Sequence, residues 1–199
     1  MDKDEVIGIF RQANAILEGH FVLSSGRHSP LFLQKARVFM YPDLTEKLCK
    51  GLAQAIRAAG HDVDLVVSPA LGGLIPGYET ARHLGVPAIW VEREEGEFQL
   101  RRGFEIAQGT KIAIVEDIVT TGLSSREAVD CVKRLGGDVR CCACLIDRSA
   151  GKADPGVEMV ALAAMDVPSY ASDEIPPDLA AIPATKPGSR HLSAVKQAG

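Results

Sequence analysis

The chain has 199 residues, 46% of them hydrophobic and 24% charged, with a formal net charge of −4. It can bury one core of useful size and lacks the basic balance of a dedicated nucleic-acid binder. No apolar stretch reaches the roughly 18 residues a membrane span needs, and the acidic start Met1-Asp2-Lys3-Asp4-Glu5 is unlike a secretory leader. A cytoplasmic protein of one domain, 1–199, is therefore expected, with neither nucleic acid nor membrane as a partner.

Val6, Ile9, Phe10, Ala13, Ile16 and Leu17 recur at helical spacing, which predicts a helix over 4–18 closed by Gly19. Phe21-Val22-Leu23 and the polar turn 24–30 lead to a predicted strand at 31–34. Asp43, with Glu46 three residues on, fits an N-cap. Leu44, Leu48, Leu52, Ile56 and Ala59 then line one helical face, and Gly60 fits its end.

From there strands and helices alternate. Strands are predicted at 65–67, 88–91, 112–115, 139–146 and 157–163, with helices at 73–84 and from Ser124 to Leu135. Pro76 sits in the first turns of one helix, where its missing N–H costs nothing. Ser124-Ser125-Arg126-Glu127 can cap the other. This alternation predicts an α/β fold, a parallel-stranded sheet flanked by helices. Between two strands, 92–103 is charge-rich; it suits either a mobile lid or a solvated connection. The five cysteines are odd in number and clustered at 141–144, a poor disulfide framework; Cys141 and Cys144 read as residues of a buried strand. From Pro168 the chain becomes rich in Pro, Ser, Ala and Asp, an irregular tail.

In a parallel α/β sheet, ligands sit at the carboxyl ends of strands. The informative turn is Ile112-Ala113-Ile114-Val115-Glu116-Asp117-Ile118-Val119-Thr120-Thr121-Gly122-Leu123-Ser124-Ser125. An apolar strand meets two acids, then a loop of hydroxyls and glycine, then a helix N-terminus. Backbone N–H groups at such a terminus form a phosphate cradle. The acids would repel a phosphate they touched, by about 1–4 kcal/mol at effective dielectrics between water and a protein surface. They suit sugar hydroxyls instead, so a sugar phosphate satisfies both halves. A Walker-type loop is excluded for want of its lysine.

The segment Glu116 to Gly122 resembles the phosphoribosyl-pyrophosphate motif of type I phosphoribosyltransferases. The resemblance implies that family's fold, with a small N-terminal hood over about 1–40 and an irregular tail over about 168–199. It also implies that Glu116 and Asp117 hold the ribose hydroxyls while Thr120 to Ser124 hold the 5′-phosphate. Ile118, Val119, Thr121, Gly122 and Leu123 belong to the same binding segment.

Other segments are similar to the orotate phosphoribosyltransferases. Phe21 to Ser29 resembles their N-terminal motif, Ser68 to Gly73 their pyrophosphate loop, and Ile182 to Arg190 the tail of one bacterial branch. Leu145-Ile146-Asp147-Arg148 resembles the segment whose arginine grips the orotate carboxylate. Arg148, with Thr120, is thus implied to bind orotate; the plainer alternative for Arg148 is an ion pair with Asp147. Phe32 and Leu33 suit a base platform or the core. His20 and His28, near a loop, read more simply as structural.

The implied reaction joins orotate to phosphoribosyl pyrophosphate, with Mg²⁺ carried by the substrate rather than by protein ligands. The resemblance further implies a homodimer whose sites are shared between subunits through the 92–103 lid. Asp117 and Arg93 are the implied catalytic residues. That lid has no Lys or His, and Ser24 and Gly72 stand where many relatives carry lysine. Two other functions fit parts of the sequence: transfer to a purine or different pyrimidine, or a regulator with the same fold. Arg148 argues for a base bearing a carboxylate, and the intact acid pair for catalysis.

Overall fold

A computed structural model describes residues 1–23 and 25–187. Its first helix, α1 (Lys3–Gln12), is set by a capping box in which Glu5 N–H donates to the Asp2 carboxylate and Asp2 N–H to the Glu5 carboxylate, each at 2.9 Å. The helix is shorter than its apolar spacing predicts, because Asn14 turns to φ 50°. Ile16 and Leu17 instead open β1 (Ile16–Val22), an antiparallel partner of β2 (His28–Leu33), with Ile16 opposite Leu33 and Leu17 opposite Phe32. Gly19 therefore lies within a strand and ends no helix.

Two further helices follow, α2 (Ala36–Phe39) and α3 (Pro42–Ala58). The α3 N-cap is Tyr41, not Asp43; Pro42 takes the first helical position, where its fixed φ and missing N–H suit it. The Leu44–Leu48–Leu52–Ile56 face is buried as predicted.

The central sheet has six strands in the order β5-β4-β3-β6-β7-β8. They are β3 (Leu65–Pro69), β4 (Ala88–Glu94), β5 (Glu97–Leu100), β6 (Lys111–Val119), β7 (Asp138–Asp147) and β8 (Met159–Ala164). All neighbours are parallel except β4 and β5. Helices α4 (Leu74–Leu84) and α5 (Leu123–Arg134) return the chain between parallel strands.

Strand alternation divides the core into two layers. Val66, Ala113 and Val115 pack with α1, α3 and α4 on one face, while Val67, Ile112 and Ile114 pack with α5 on the other. Leu33 and Val38 of the N-terminal segment belong to the first layer. All five cysteines are buried as free thiols, and burial pushes Cys141 up to about 12. Cys141 and Cys144, three apart on β7, face opposite sides and form no pair.

The segment 92–103, expected as a loop, is mostly a hairpin. Strand β4 runs on to Glu94, turns through Glu95 and Gly96 at φ 51° and 93°, and returns as β5. Two successive positive φ values define the tight hairpin turn that glycine favours. Phe98 is buried beneath it, and Arg101 and Arg102 pair with Glu94 and Glu92 at 2.9 and 2.8 Å.

The tail after Pro168 crosses the β1–β2 hairpin as a strap. Tyr170 exchanges backbone hydrogen bonds with His28 at 2.8 and 2.9 Å, and Val22 N–H donates to Thr185 O at 2.8 Å. A one-turn helix, α6 (Pro177–Ala180), interrupts it. The two histidines are structural: His20 Nδ1 meets Ile182 O at 2.9 Å and His20 Nε2 meets His28 Nδ1 at 2.7 Å. The expected motif residues 188–190, like Ser24, lie outside the described residues. Among those described, no helix is long and apolar enough to cross a membrane.

Candidate active site

Strand β6 does not stop at Val115. It continues through the acids to Val119, held by β7 through the pairs Ile118–Ile146 and Val119–Asp147. Alternation therefore sends Glu116 and Asp117 to opposite faces of the sheet edge.

Asp117 is 1% exposed and faces the N-terminal hood. Its Oδ1 accepts from Lys35 Nζ at 2.7 Å and from Ile118 N–H at 2.6 Å. Its Oδ2 lies 2.6 Å from the same ammonium, yet no donor is aligned to it. Lys35 was absent from the sequence expectations. It stands between β2 and α2, in a segment with no periodicity to mark it, and only folding brings it to an acid 82 positions away.

Glu116 is 7% exposed. Burial, reinforced by the neighbouring Asp117 charge, pushes its carboxyl up to about 8, against the opposing pull of Lys35 and Arg93. Two adjacent acids thus acquire different environments.

In the loop beyond them Val119 is buried and Ile118 half-buried, whereas Thr120, Thr121, Leu123 and Ser124 are exposed. Gly122, at φ 79°, is the N-cap of α5, and a Cβ there would meet Ala153 and Asp154 at 3.1 Å. Glycine is required by both conformation and space. The expected serine cap is not formed: Ser124 and Ser125 lie inside the first turn. Leu123 N–H donates to Thr121 Oγ1 at 3.3 Å. The N–H groups of Ser124 and Ser125, in the same turn, lack helical acceptors, as at any helix start.

A second loop, after β3, closes on the acids. A Cβ at Gly72 would fall 2.3 Å from Asp117 Oδ2 and 3.0 Å from Lys35 Nζ. At Gly73 it would meet Val115 O at 2.8 Å. Among the described residues, the N–H groups of Leu71 and Gly72 have no hydrogen-bond acceptor. The peptide bond between Ala70 and Leu71 is cis.

Arg148 follows the end of β7 and is fixed beside β6, its N–H donating to Val119 O at 2.8 Å. The expected alternative, an ion pair with Asp147, is not made. Asp147 instead accepts from Ser149 N–H at 2.7 Å and Gly151 N–H at 3.0 Å. Arg148 Nε is buried with no partner, and burial lowers the guanidinium pKa.

Arg93 is placed differently. Its guanidinium pairs with Glu127 of α5 and stacks 4.2 Å over the Phe98 ring, within its own hairpin. It reaches the acids only through its field on Glu116. Leu33 is core and Phe32 packs against Phe21 at 5.8 Å between ring centroids.

Among the described residues, one group of three metal-competent side chains converges: Glu46, Glu79 and His83. The Arg82 guanidinium already fills it, 3.0 Å from Glu46 and 2.6 Å from Glu79.

A parallel sheet whose edge carries an acid pair, a glycine turn and a helix start has the parts that suit a phosphorylated sugar. The phosphoribosyl transferase domain matches residues 41–162, and the chain belongs to that family. Within it, the chain is 65% identical over 193 residues to orotate phosphoribosyltransferase 2 of Mesorhizobium japonicum, covering 96% of this chain and all of that protein. It is 63% identical, with the same coverage, to the orotate phosphoribosyltransferase of Brucella canis. These relatives place it among the orotate phosphoribosyltransferases. The fold matches the crystal structure of orotate phosphoribosyltransferase from Aeropyrum pernix with a TM-score of 0.71 at 24% identity, over 80% of this chain and 93% of that one.

Proposed function

We propose that the carboxyl edge of β6 and β7 is where 5-phospho-α-D-ribose 1-diphosphate gives its phosphoribosyl group to orotate. The products are orotidine 5′-phosphate and diphosphate, in the synthesis of UMP. The observation that carries this is Arg148: a half-buried guanidinium with an unpartnered Nε, beside a loop suited to a sugar phosphate. A guanidinium is shaped to take a carboxylate through two parallel bonds, and orotate has the carboxylate that uracil and the purines lack.

The remaining assignments follow from charge and reach. Glu116 and Asp117 accept hydrogen bonds from the ribose hydroxyls. The segment Thr120 to Ser124 takes the 5′-phosphate on its N–H groups and hydroxyls, and Thr120 also borders the pyrimidine. The free N–H groups of Leu71 and Gly72 face the diphosphate. As the bond from C1′ to the diphosphate oxygen breaks, its electron pair leaves with diphosphate; the pyrimidine nitrogen forms the new bond to C1′, and the proton of its N–H bond passes to a diphosphate oxygen. Positive charge on the ribose between these events is stabilised by the adjacent Asp117 carboxylate. Holding three anionic pieces in line is most of the work. Arg93 supports the site through Glu116, and to touch substrate it would leave Glu127.

Mg²⁺ enters this proposal with the substrate. The Asp117 Oδ2, without an aligned donor, is the kind of hard oxygen atom such an ion prefers. When bound, it neutralises diphosphate charge. A homodimer is also proposed. Met40, Leu71 (83% exposed), Ile75 and Tyr78 (70% exposed) form an apolar surface beside a cleft of about 670 Å³. That surface adjoins the site through Leu71, and a second copy of the chain would cover it; a monomer in equilibrium sedimentation would refute this. Five buried free thiols suit a reducing cytoplasm. The shared core residues Leu33 and Val38 support treating hood and sheet as one domain.

The test is the absorbance change of orotate on mixing with the protein, Mg²⁺ and phosphoribosyl diphosphate, with uracil, hypoxanthine and adenine in parallel. Consumption of orotate alone is expected. Consumption of another base would overturn the role of Arg148 and leave the sugar-phosphate site in place.

A further inference from the structure

The site contains a cation that neither its motif nor its loops announce. Lys35 comes from the hood, and its side chain, 40% exposed, reaches Asp117. It lines a cleft of about 510 Å³ together with Phe39, Met40, Leu71, Gly72 and Asp117. The ammonium sits directly over the loop after β3, 3.0 Å from where a Gly72 side chain would begin. Any side chain at 72 would collide with the Asp117 carboxylate and crowd this ammonium. Gly72 is thus the space that admits Lys35.

A simple role for Lys35 would be to balance the buried carboxylate. Its geometry offers more. An ammonium carries three donors. One is committed to Asp117 Oδ1; the others are left at an open cleft, beside the unpartnered N–H groups of Leu71 and Gly72. A cation and two free backbone donors converge there on one volume, at the start of α4. The chemistry that satisfies such a set is a multiply charged oxyanion.

We infer that Lys35 is the lysine of the diphosphate subsite, supplied by the hood and held in place by Asp117 across the gap left by Gly72. This rests on the site assignment proposed above. Lys35 touches the leaving diphosphate and stabilises the charge that gathers there as the bond to C1′ breaks. It also explains how a site can work with glycine at position 72 and a paired-up hairpin in place of a cationic lid.

Two probes separate the roles. Inorganic diphosphate has no sugar and reports only the diphosphate subsite. Ribose 5-phosphate has the hydroxyls and the 5′-phosphate but no diphosphate, and so reports Asp117 and the glycine turn. Both are measured as inhibitors competing with phosphoribosyl diphosphate on wild type, Lys35→Met and Lys35→Arg, with thermal melting as the check on folding. Lys35→Met should weaken inorganic diphosphate by about tenfold to a hundredfold, the scale of a lost charged hydrogen bond. Ribose 5-phosphate should shift by about twofold or less, and Lys35→Arg should recover much of the loss. If ribose 5-phosphate weakens while diphosphate does not, or both weaken alike, Lys35 merely orients Asp117 and the inference is wrong. No change in either probe also overturns it.

Should Lys35→Met fail to fold, the wild-type protein supplies the test. Reductive methylation of Lys35, read by mass spectrometry, should be blocked by inorganic diphosphate and not by ribose 5-phosphate; labelling unaffected by diphosphate refutes the assignment. Failure of diphosphate to compete on the wild type would instead fault the underlying site assignment.

Discussion

The β4–β5 hairpin and the turn after β6 are both rich in charge, and they dispose of it in opposite ways. In the hairpin, Arg101 and Arg102 face Glu94 and Glu92, and Arg93 faces Glu127. These pairs are largely exposed and mutually satisfied, and such pairs contribute little to stability. Around the turn, Glu116 and Asp117 are buried, Arg148 Nε has no partner, and one Asp117 oxygen has no aligned donor. Buried polar groups are expensive to leave unpaired. Two of them, Asp117 Oδ2 and Arg148 Nε, fall together at the carboxyl edge of β6 and β7, where the proposed ligand would complete the bonding. Charge density alone therefore does not locate chemistry; unsatisfied buried charge does.

The sharpest way to break this contrast is Asp117→Asn. It keeps the shape and removes the charge, and turnover should fall on the order of a hundredfold or more, since hydrogen bonds to a charged group are worth about 1.5–3 kcal/mol each. Near-normal turnover with an unchanged melting profile would take Asp117 out of the site. Next in size, Arg148→Ala should raise the KM for orotate by about tenfold to a hundredfold. The KM for phosphoribosyl diphosphate should barely move; equal changes in both would contradict the carboxylate assignment.

A smaller effect tests the raised pKa of Glu116. Between its ordinary value of 4.5 and about 8, the folded chain holds a proton that the unfolded chain has released. The stability this contributes is complete below about 4.5 and is lost as pH rises through about 8. The wild-type melting temperature should thus fall more steeply from pH 5 to about 9 than that of Glu116→Gln, which has no proton to lose. Parallel slopes would place the titration elsewhere. Smallest of all, Arg102→Ala breaks an ion pair at the surface and should leave both turnover and melting within the scatter of wild type; a large loss of activity would restore a catalytic role to the hairpin.

The misassigned elements share a cause. Ile16 and Leu17 continue a helical spacing, but their burial is decided by Leu33 and Phe32 across a hairpin. The 92–103 segment looks unstructured because its charges mask the period-two placement of Phe98 and the Glu95-Gly96 turn. Ser124 and Ser125 resemble caps, yet Gly122 takes the cap because the chain must turn through positive φ against Ala153. In each case a local preference yielded to a contact made far along the chain.

The apolar runs, their helical intervals and the acid-glycine turn are written in consecutive residues, so the parallel sheet and the position of that turn at its carboxyl edge were determined by sequence alone. Such features depend on backbone periodicity and on groups adjacent in the chain. The ion pair of Lys35 with Asp117, the space at Gly72, the missing partner of Arg148 and the self-pairing of the hairpin were decided only by tertiary structure. Each concerns which groups meet and which are left over when distant segments pack, and no spacing within one segment encodes that.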